Sequence, residues 1–133
     1  MIYVDTSALL KRYIDEPDSE QAVGCLLAEP AWVCARHVLV EVLRNLRRLL
    51  DGAAREAALA AFAADWARVH LVELDEVTCE SAAAIAEVTG ARTLDALHLA
   101  AAVRAGGRGA LLVTFDHRQA GAARSLGLRV LSA

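Results

Sequence analysis

The sequence predicts an α/β fold: a parallel sheet of about five strands, covered by helices on both faces. Short β-prone runs alternate with longer segments of helical periodicity, and the runs are continuously apolar, as strands buried on both faces require. The third observation is size, since 133 residues, 56% hydrophobic and 23% charged, suit one compact domain over residues 1–133. Right-handed crossovers then restrict the strand order to a few possibilities.

The elements follow in order. Ile2-Tyr3-Val4 is a short strand, and Asp5-Thr6-Ser7 supplies capping side chains before a helix over Ala8 to Ile14. Asp15-Glu16-Pro17 breaks that helix, and Asp18, with Gln21 three residues on, caps a second one that ends before Pro30. Trp32-Val33-Cys34 reads as a strand. From His37 to Leu50, Leu39, Val42, Leu43, Leu46, Leu49 and Leu50 recur at helical spacing, with Glu41, Arg44, Asn45 and Arg48 on the other face, and Gly52 as the terminator. An alanine-rich helix spans Ala53 to Trp66, a strand Val69 to Leu74, and a further helix Glu76 to Val88, stopped by Gly90. Thr93 caps a helix running to Arg104, Gly106 to Gly109 form a turn, and Ala110 to Phe115 is the most strand-like run in the chain. Asp116 begins the last helix, Gly127 ends it, and Arg129-Val130-Leu131 closes the sheet.

Composition excludes several classes. A net charge of −3 and a pI near 5.8 rule out bulk electrostatic attraction to nucleic acid, so any such binding is local. Lys11 is the only lysine, and the remaining cations are arginines, which suit bidentate contact with phosphate. Cys25, Cys34 and Cys79 are odd in number and lack a C-x-x-C pair, so they read as buried side chains without a disulfide or zinc role. No uncharged run reaches the roughly 20 residues of a membrane helix, and the opening residues lack a secretory signal, so a cytoplasmic protein is expected.

Four acids carry the functional argument. Asp5 and Asp116 follow strand ends, while Glu41 and Asp95 lie near the starts of helices. If the strand order is 3-2-1-4-5, the chain reverses direction between the strand ending at Val4 and the one ending at Phe115, and ligands of open α/β sheets bind at such a switch point. Each acid also has a structural alternative: Asp5 and Asp116 as helix caps, Asp95 as a complement to the helix dipole, Glu41 as a solvated helix residue. Capping, however, does not require crowding. Like charges about 4 Å apart repel by roughly 4 kcal/mol at an effective dielectric near 20, so convergent carboxylates call for a cation. Mg²⁺ or Mn²⁺ fits oxygen ligands and supports phosphodiester hydrolysis. Thr6, Ser7 and Thr114 are candidates to hold these carboxylates from behind, and Arg44, Arg48 and Arg118 to meet a phosphate backbone. His98 shares a helix face with Asp95 and His117 adjoins Asp116, a weaker pattern for a mixed histidine–carboxylate site; His37 and His70 read as boundary residues.

Four blocks, Tyr3-Val4-Asp5-Thr6-Ser7-Ala8-Leu9-Leu10, Val38-Leu39-Val40-Glu41-Val42-Leu43-Arg44, Thr93-Leu94-Asp95-Ala96-Leu97-His98-Leu99-Ala100 and Leu112-Val113-Thr114-Phe115-Asp116, together resemble the PIN domain, and specifically the VapC toxins of bacterial type II toxin–antitoxin pairs. The resemblance spans practically the whole chain. It implies a five-stranded parallel sheet in the order 3-2-1-4-5 and a magnesium- or manganese-dependent endoribonuclease. By position, Asp5, Glu41 and Asp95 resemble the metal-site acids, Asp116 the fourth acid, and Ser7 and Thr114 their supporting hydroxyls. It further implies a VapB-type antitoxin partner and toxin homodimers within a larger toxin–antitoxin complex. The competing readings are a phosphoacceptor receiver-like signalling module, which needs a lysine beside its acids, and a noncatalytic PIN-like binding scaffold, which needs the acids to lie apart.

Overall fold

The computed structural model of this chain describes residues 1–132, and Ala133, the last residue of the expected domain, lies outside them. Strands β1 (Ile2–Val4), β2 (Trp32–Ala35), β3 (His70–Val72), β4 (Leu111–Val113) and β5 (Arg129–Leu131) form one parallel sheet in the order β3-β2-β1-β4-β5. This is the expected order. Tyr3 and Val4 pair with Leu112 and Val113, and the Asp5 N–H donates to the Val113 carbonyl at 3.2 Å, fixing Asp5 at the carboxyl edge of the sheet, at the switch point.

Seven helices flank it among the described residues: α1 (Thr6–Leu10), α2 (Ser19–Leu27), α3 (Val38–Leu49), α4 (Gly52–Trp66), α5 (Glu76–Thr89), α6 (Thr93–Gly106) and α7 (His117–Ser125). The alternation of side chains along β1 feeds two cores. Ile2 and Val4 pack with Leu9, Leu26, Val42, Leu46 and Phe62 under α1 to α4, while Tyr3 packs with Ala82, Ile85, Leu99 and Ala123 under α5 to α7. The run Ala100-Ala101-Ala102 is fully buried, and its small side chains let α6 lie close against the sheet and α5.

Several boundaries differ from expectation for local reasons. The first helix starts at Thr6, because the Asp5 carboxylate accepts from the Ala8 N–H, and it ends at Leu10 instead of Ile14. There Arg12 and Tyr13 donate back three residues, to Leu9 and Leu10, and Lys11 turns out to pair with Asp18 at 2.7 Å. That ion pair also occupies Asp18, which makes no side-chain cap bond to α2. Gly52 does not close α3 but opens α4 at φ 54°, a left-handed conformation suited to glycine, whereas Gly90 ends α5 at φ 74° as expected. Thr93 is the first residue of α6, and Arg92 takes the cap position with no side-chain cap bond. Cys34 is buried, but Cys25 is only half-buried and Cys79 is exposed on α5.

Candidate active site

A cavity of about 550 Å³ opens at the carboxyl edge of the sheet, and Asp5, Glu41, Asp95 and Asp116 all line it, with Thr6, Ser7, Arg92 and His98 among the remaining walls. The four acids arrive from the end of β1, the first turn of α3, the first turn of α6 and the cap of α7. Glu41 is therefore not a solvated helix residue. Their place in one cavity counts against the scaffold alternative. The receiver-like alternative fails on its lysine, since Lys11 is held by Glu16 at 3.2 Å and Asp18 at 2.7 Å, away from the cavity.

Asp5 is the most enclosed of the four, 3% exposed. Its Oδ1 accepts from Ser7 Oγ at 2.7 Å and from the Ala8 N–H at 3.1 Å, and its Oδ2 accepts from Thr114 Oγ1. Loss of hydration on burial nevertheless raises its pKa, outweighing these donors and the attraction of His98. The hydroxyls are tied in turn to the next element: Ser7 Oγ accepts from the Phe115 N–H at 2.9 Å and Thr114 Oγ1 from the Asp116 N–H at 3.1 Å. One small network thus joins β1, α1 and the β4–α7 junction.

Glu41 is positioned differently. Thr6 Oγ1 donates to its Oε1 at 2.7 Å and His98 Nε2 lies 3.0 Å from the same oxygen. Burial alone would raise this carboxyl, but the bonds from His98 and Thr6 reverse the effect and hold it below the usual carboxylate range. The protons around His98 follow from bond counting. Tyr3 Oη accepts the Ala35 N–H at 3.1 Å and has one hydrogen of its own, for which His98 Nδ1 at 2.8 Å is the acceptor. The ring hydrogen therefore sits on Nε2 and points at Glu41. Asp95 is engaged by Arg92 Nε at 3.1 Å, and Asp116 Oδ1 caps α7 by accepting from the Arg118 and Gln119 N–H groups at 2.8 and 3.1 Å.

Two neighbours of these acids, Arg92 and His37, were not expected from the sequence. Arg92 stands at the cavity wall, whereas Arg44 and Arg48 are exposed on α3 and line no part of it; Arg118 is exposed beside Asp95 in an adjoining cavity of about 510 Å³. His37, taken as a boundary residue, is buried with its Nε2 3.5 Å from Glu41 Oε1 and its ring centroid 4.3 Å from that of His98. The one signal available was spacing, His37 to Glu41 at i, i+4 and Asp95 to His98 at i, i+3. His117 is exposed.

Burial, reinforced by His98, pulls the His37 pKa down to about 4. Its ring is expected to show no titration between pH 8 and about 5 by NMR of the ring protons. In the unfolded chain the imidazole titrates near 6.5, so the folded state binds fewer protons below that value and stability drops as pH falls from 6.5 toward 4. Glu41, with its lowered pKa, adds a loss only below about 4.5. A His37 ring that protonates above pH 6 in the folded protein contradicts this.

Four carboxylates line the cavity, and the buried Asp5 carboxylate has hydroxyl and amide partners and, among the described residues, no side-chain cation bonded to it, a set that suits a hard divalent ion. The sequence matches the PIN domain family over residues 2–125. It is 36% identical over 136 residues to Ribonuclease VapC35 of Mycobacterium tuberculosis, covering 99% of this chain and 96% of that protein. In fold it is similar to VapC20 of Mycobacterium tuberculosis, described as a sarcin–ricin loop cleaving toxin, at a TM-score of 0.73 and 21% identity over 92% of this chain and 95% of the other. A chain of a toxin–antitoxin complex from Klebsiella pneumoniae is also similar, at a TM-score of 0.68 and 15% identity over 87% of each. With fold, strand order and convergent acids in agreement, the chain belongs to the PIN domain family, in its VapC-type branch.

Proposed function

We propose that this protein is a divalent-metal-dependent endoribonuclease toxin that hydrolyses RNA phosphodiester bonds, with Asp5, Glu41, Asp95 and Asp116 as its metal-holding and catalytic residues, and that a VapB-type antitoxin restrains it. The observation that carries the reading is the meeting of four carboxylates from four separate elements in one cavity, one of them buried. Relatives named ribonucleases, at 34–36% identity over nearly the whole chain, agree with it. The unit acts as a single domain over residues 1–133. It works in the cytoplasm; among the described residues no helix is long and apolar enough to cross a membrane.

Mg²⁺ or Mn²⁺ would be held by the four acids, and when bound supplies an acidified water and steadies negative charge on the phosphate. The chain's own residues do the rest. Ser7 and Thr114 hold the Asp5 carboxylate from two sides, and Thr6 and His98 hold Glu41, so that both keep their aim with the cavity open to water. Asp116, fixed by the α7 amides, orients the attacking water. Arg118, beside the cavity, and Arg44 and Arg48, farther along α3, contact phosphates flanking the cleaved bond and position the strand. The antitoxin has an apolar seat available between α3 and α4, a cavity of about 340 Å³ lined by Leu39, Leu43, Leu59 and Trp66, and homodimers of the toxin assemble within the larger complex.

The test is cleavage of a labelled RNA panel by purified protein. With millimolar Mg²⁺ or Mn²⁺ the RNA is cut, with EDTA the rate falls by roughly a thousandfold or more, and re-addition of the ion restores it. Cleavage that persists unchanged in EDTA sinks the metal-dependent reading.

A further inference from the structure

We infer that His37, Glu41 and His98 form a second metal site, distinct in its donors from the four-carboxylate site beside it, that takes a transition ion with high affinity for imidazole, such as Zn²⁺. One donor atom of each residue lies within 4.8 Å of the others. Glu41 Oε1 is 3.0 Å from His98 Nε2 and 3.5 Å from His37 Nε2. Metal–ligand bonds of about 2.0–2.1 Å at tetrahedral angles set ligand atoms about 3.4 Å apart, so the two spacings to Glu41 bracket the need, and the His37 and His98 donors, within 4.8 Å of each other, close by about 1.4 Å at most. Two imidazoles, one carboxylate and a position left open make the donor set of an open zinc site.

His37 supplies an independent indication. It is 9% exposed, neither of its ring nitrogens has a hydrogen-bond partner among the described residues, and its Nε2 faces the Glu41 carboxylate. A buried polar ring without a partner is costly, and a metal bond removes that cost. His98 has the outer support a ligand requires, because Tyr3 Oη holds its Nδ1.

Binding requires His98 to free Nε2. The ring hydrogen moves from Nε2 to Nδ1 and is donated to Tyr3 Oη, which keeps the Ala35 N–H on its other lone pair. Tyr3 then loses the acceptor for its own hydrogen. Only an ion that bonds imidazole strongly offsets that loss, and Mg²⁺, which prefers oxygen and keeps its waters, does not. The two sites are thus separated by ligand chemistry while sharing Glu41. The consequence for activity rests on the proposed function: Zn²⁺ bound here draws Glu41 out of the acidic cavity and slows Mg²⁺-dependent RNA cleavage.

Co²⁺ is the probe, added to the full chain in a Cys79→Ser background so that the exposed thiol does not compete. One equivalent is expected to give the intense visible bands of four- or five-coordinate Co²⁺, displaced by Zn²⁺ and not by excess Mg²⁺. Loss of an outer-shell partner costs about 10–100-fold in metal affinity, so His37→Gln, which removes a ligand, should weaken binding by at least roughly a hundredfold. Asp95→Asn should leave it unchanged. A pale six-coordinate spectrum, displacement by Mg²⁺, or binding lost in Asp95→Asn and kept in His37→Gln overturns the assignment. Should His37→Gln not fold, the His37 and His98 ring resonances of the unsubstituted protein must shift on adding one equivalent of Zn²⁺, and unmoved resonances overturn it equally. Because the readouts are spectroscopic, they stand whether or not the chain cuts RNA.

Discussion

Asp5→Asn is expected to lower RNA cleavage by roughly a thousandfold or more while leaving the protein folded and, in chelator, at least as stable as before. The activity loss follows from replacing an anionic donor at the most enclosed point of the cavity. The stability result follows from the raised pKa of this carboxyl, caused chiefly by burial. A folded carboxyl that holds its proton more tightly than the unfolded one, whose value is 3.8, costs stability as pH rises from 3.8 through the raised value, and at neutral pH that cost is fully present. An amide removes it. The hydrogen bonds can be re-partnered, because the new N–H donates to Thr114 Oγ1, whose own hydrogen then turns to Ser7 Oγ at 3.2 Å.

In EDTA the melting temperature of Asp5→Asn should therefore equal that of the unsubstituted protein or exceed it by about 3–5 °C, corresponding to about 1 kcal/mol in a chain of this size. Adding Mn²⁺ should then raise the melting point of the original protein more than that of the variant, since only a site that binds the ion gains from mass action. The combination matters. A variant that is inactive because it is misfolded melts lower in both conditions, and a variant that cuts RNA at the original rate removes Asp5 from the active site.

The features legible in the sequence were those fixed locally. Ile2-Tyr3-Val4 followed by Asp5-Thr6-Ser7 carries its strand, its turn and its cap within six residues, and parallel strands with right-handed crossovers leave few ways to join such units. The convergence of the acids was legible through that topology, because strand ends and helix starts all face the carboxyl edge. What could not be read depended on packing between distant helices. Nothing near His37 announces that α6 brings His98 to within 4.3 Å of it, ring to ring. Arg44 and Arg48 share an angular face with Glu41, yet at 1.5 Å of rise per residue they lie roughly 5 and 10 Å farther along α3, carried past the cavity. Helical spacing fixes the angle around the axis and leaves the distance along it to the packing of the helix. Arg92 escaped notice because Thr93 looked the better cap, and the side chain that reaches Asp95 came from one residue earlier.

Phe62→Ala is expected to give the largest loss of stability without a matching loss of chemistry. Phe62 is 2% exposed, set edge-on to Tyr13 at 5.6 Å between centroids and tilted against Trp66 at 5.5 Å, in the same core as Val42 and Leu46 of α3. Truncating it leaves a void that its aromatic neighbours cannot close, since Tyr13 is anchored through its hydroxyl to Asp65 at 2.7 Å and Asp65 is itself clamped by Arg12 Nε at 2.6 Å. Loss of a buried phenyl ring costs about 3–5 kcal/mol, or a drop of roughly 10–20 °C in melting temperature, a large part of the 5–15 kcal/mol that holds a typical domain together. The chemistry should survive in the molecules that remain folded. Glu41 sits in the first turn of α3, where Thr6 and His98 hold its carboxylate directly, whereas Phe62 supports the body of that helix from the opposite side. Cleavage per folded molecule at 25 °C should stay within about threefold of the original, as for a core change away from the reacting atoms. A folded Phe62→Ala protein that has lost cleavage instead would mean that α4, and not the Thr6 and His98 bonds, sets the aim of Glu41.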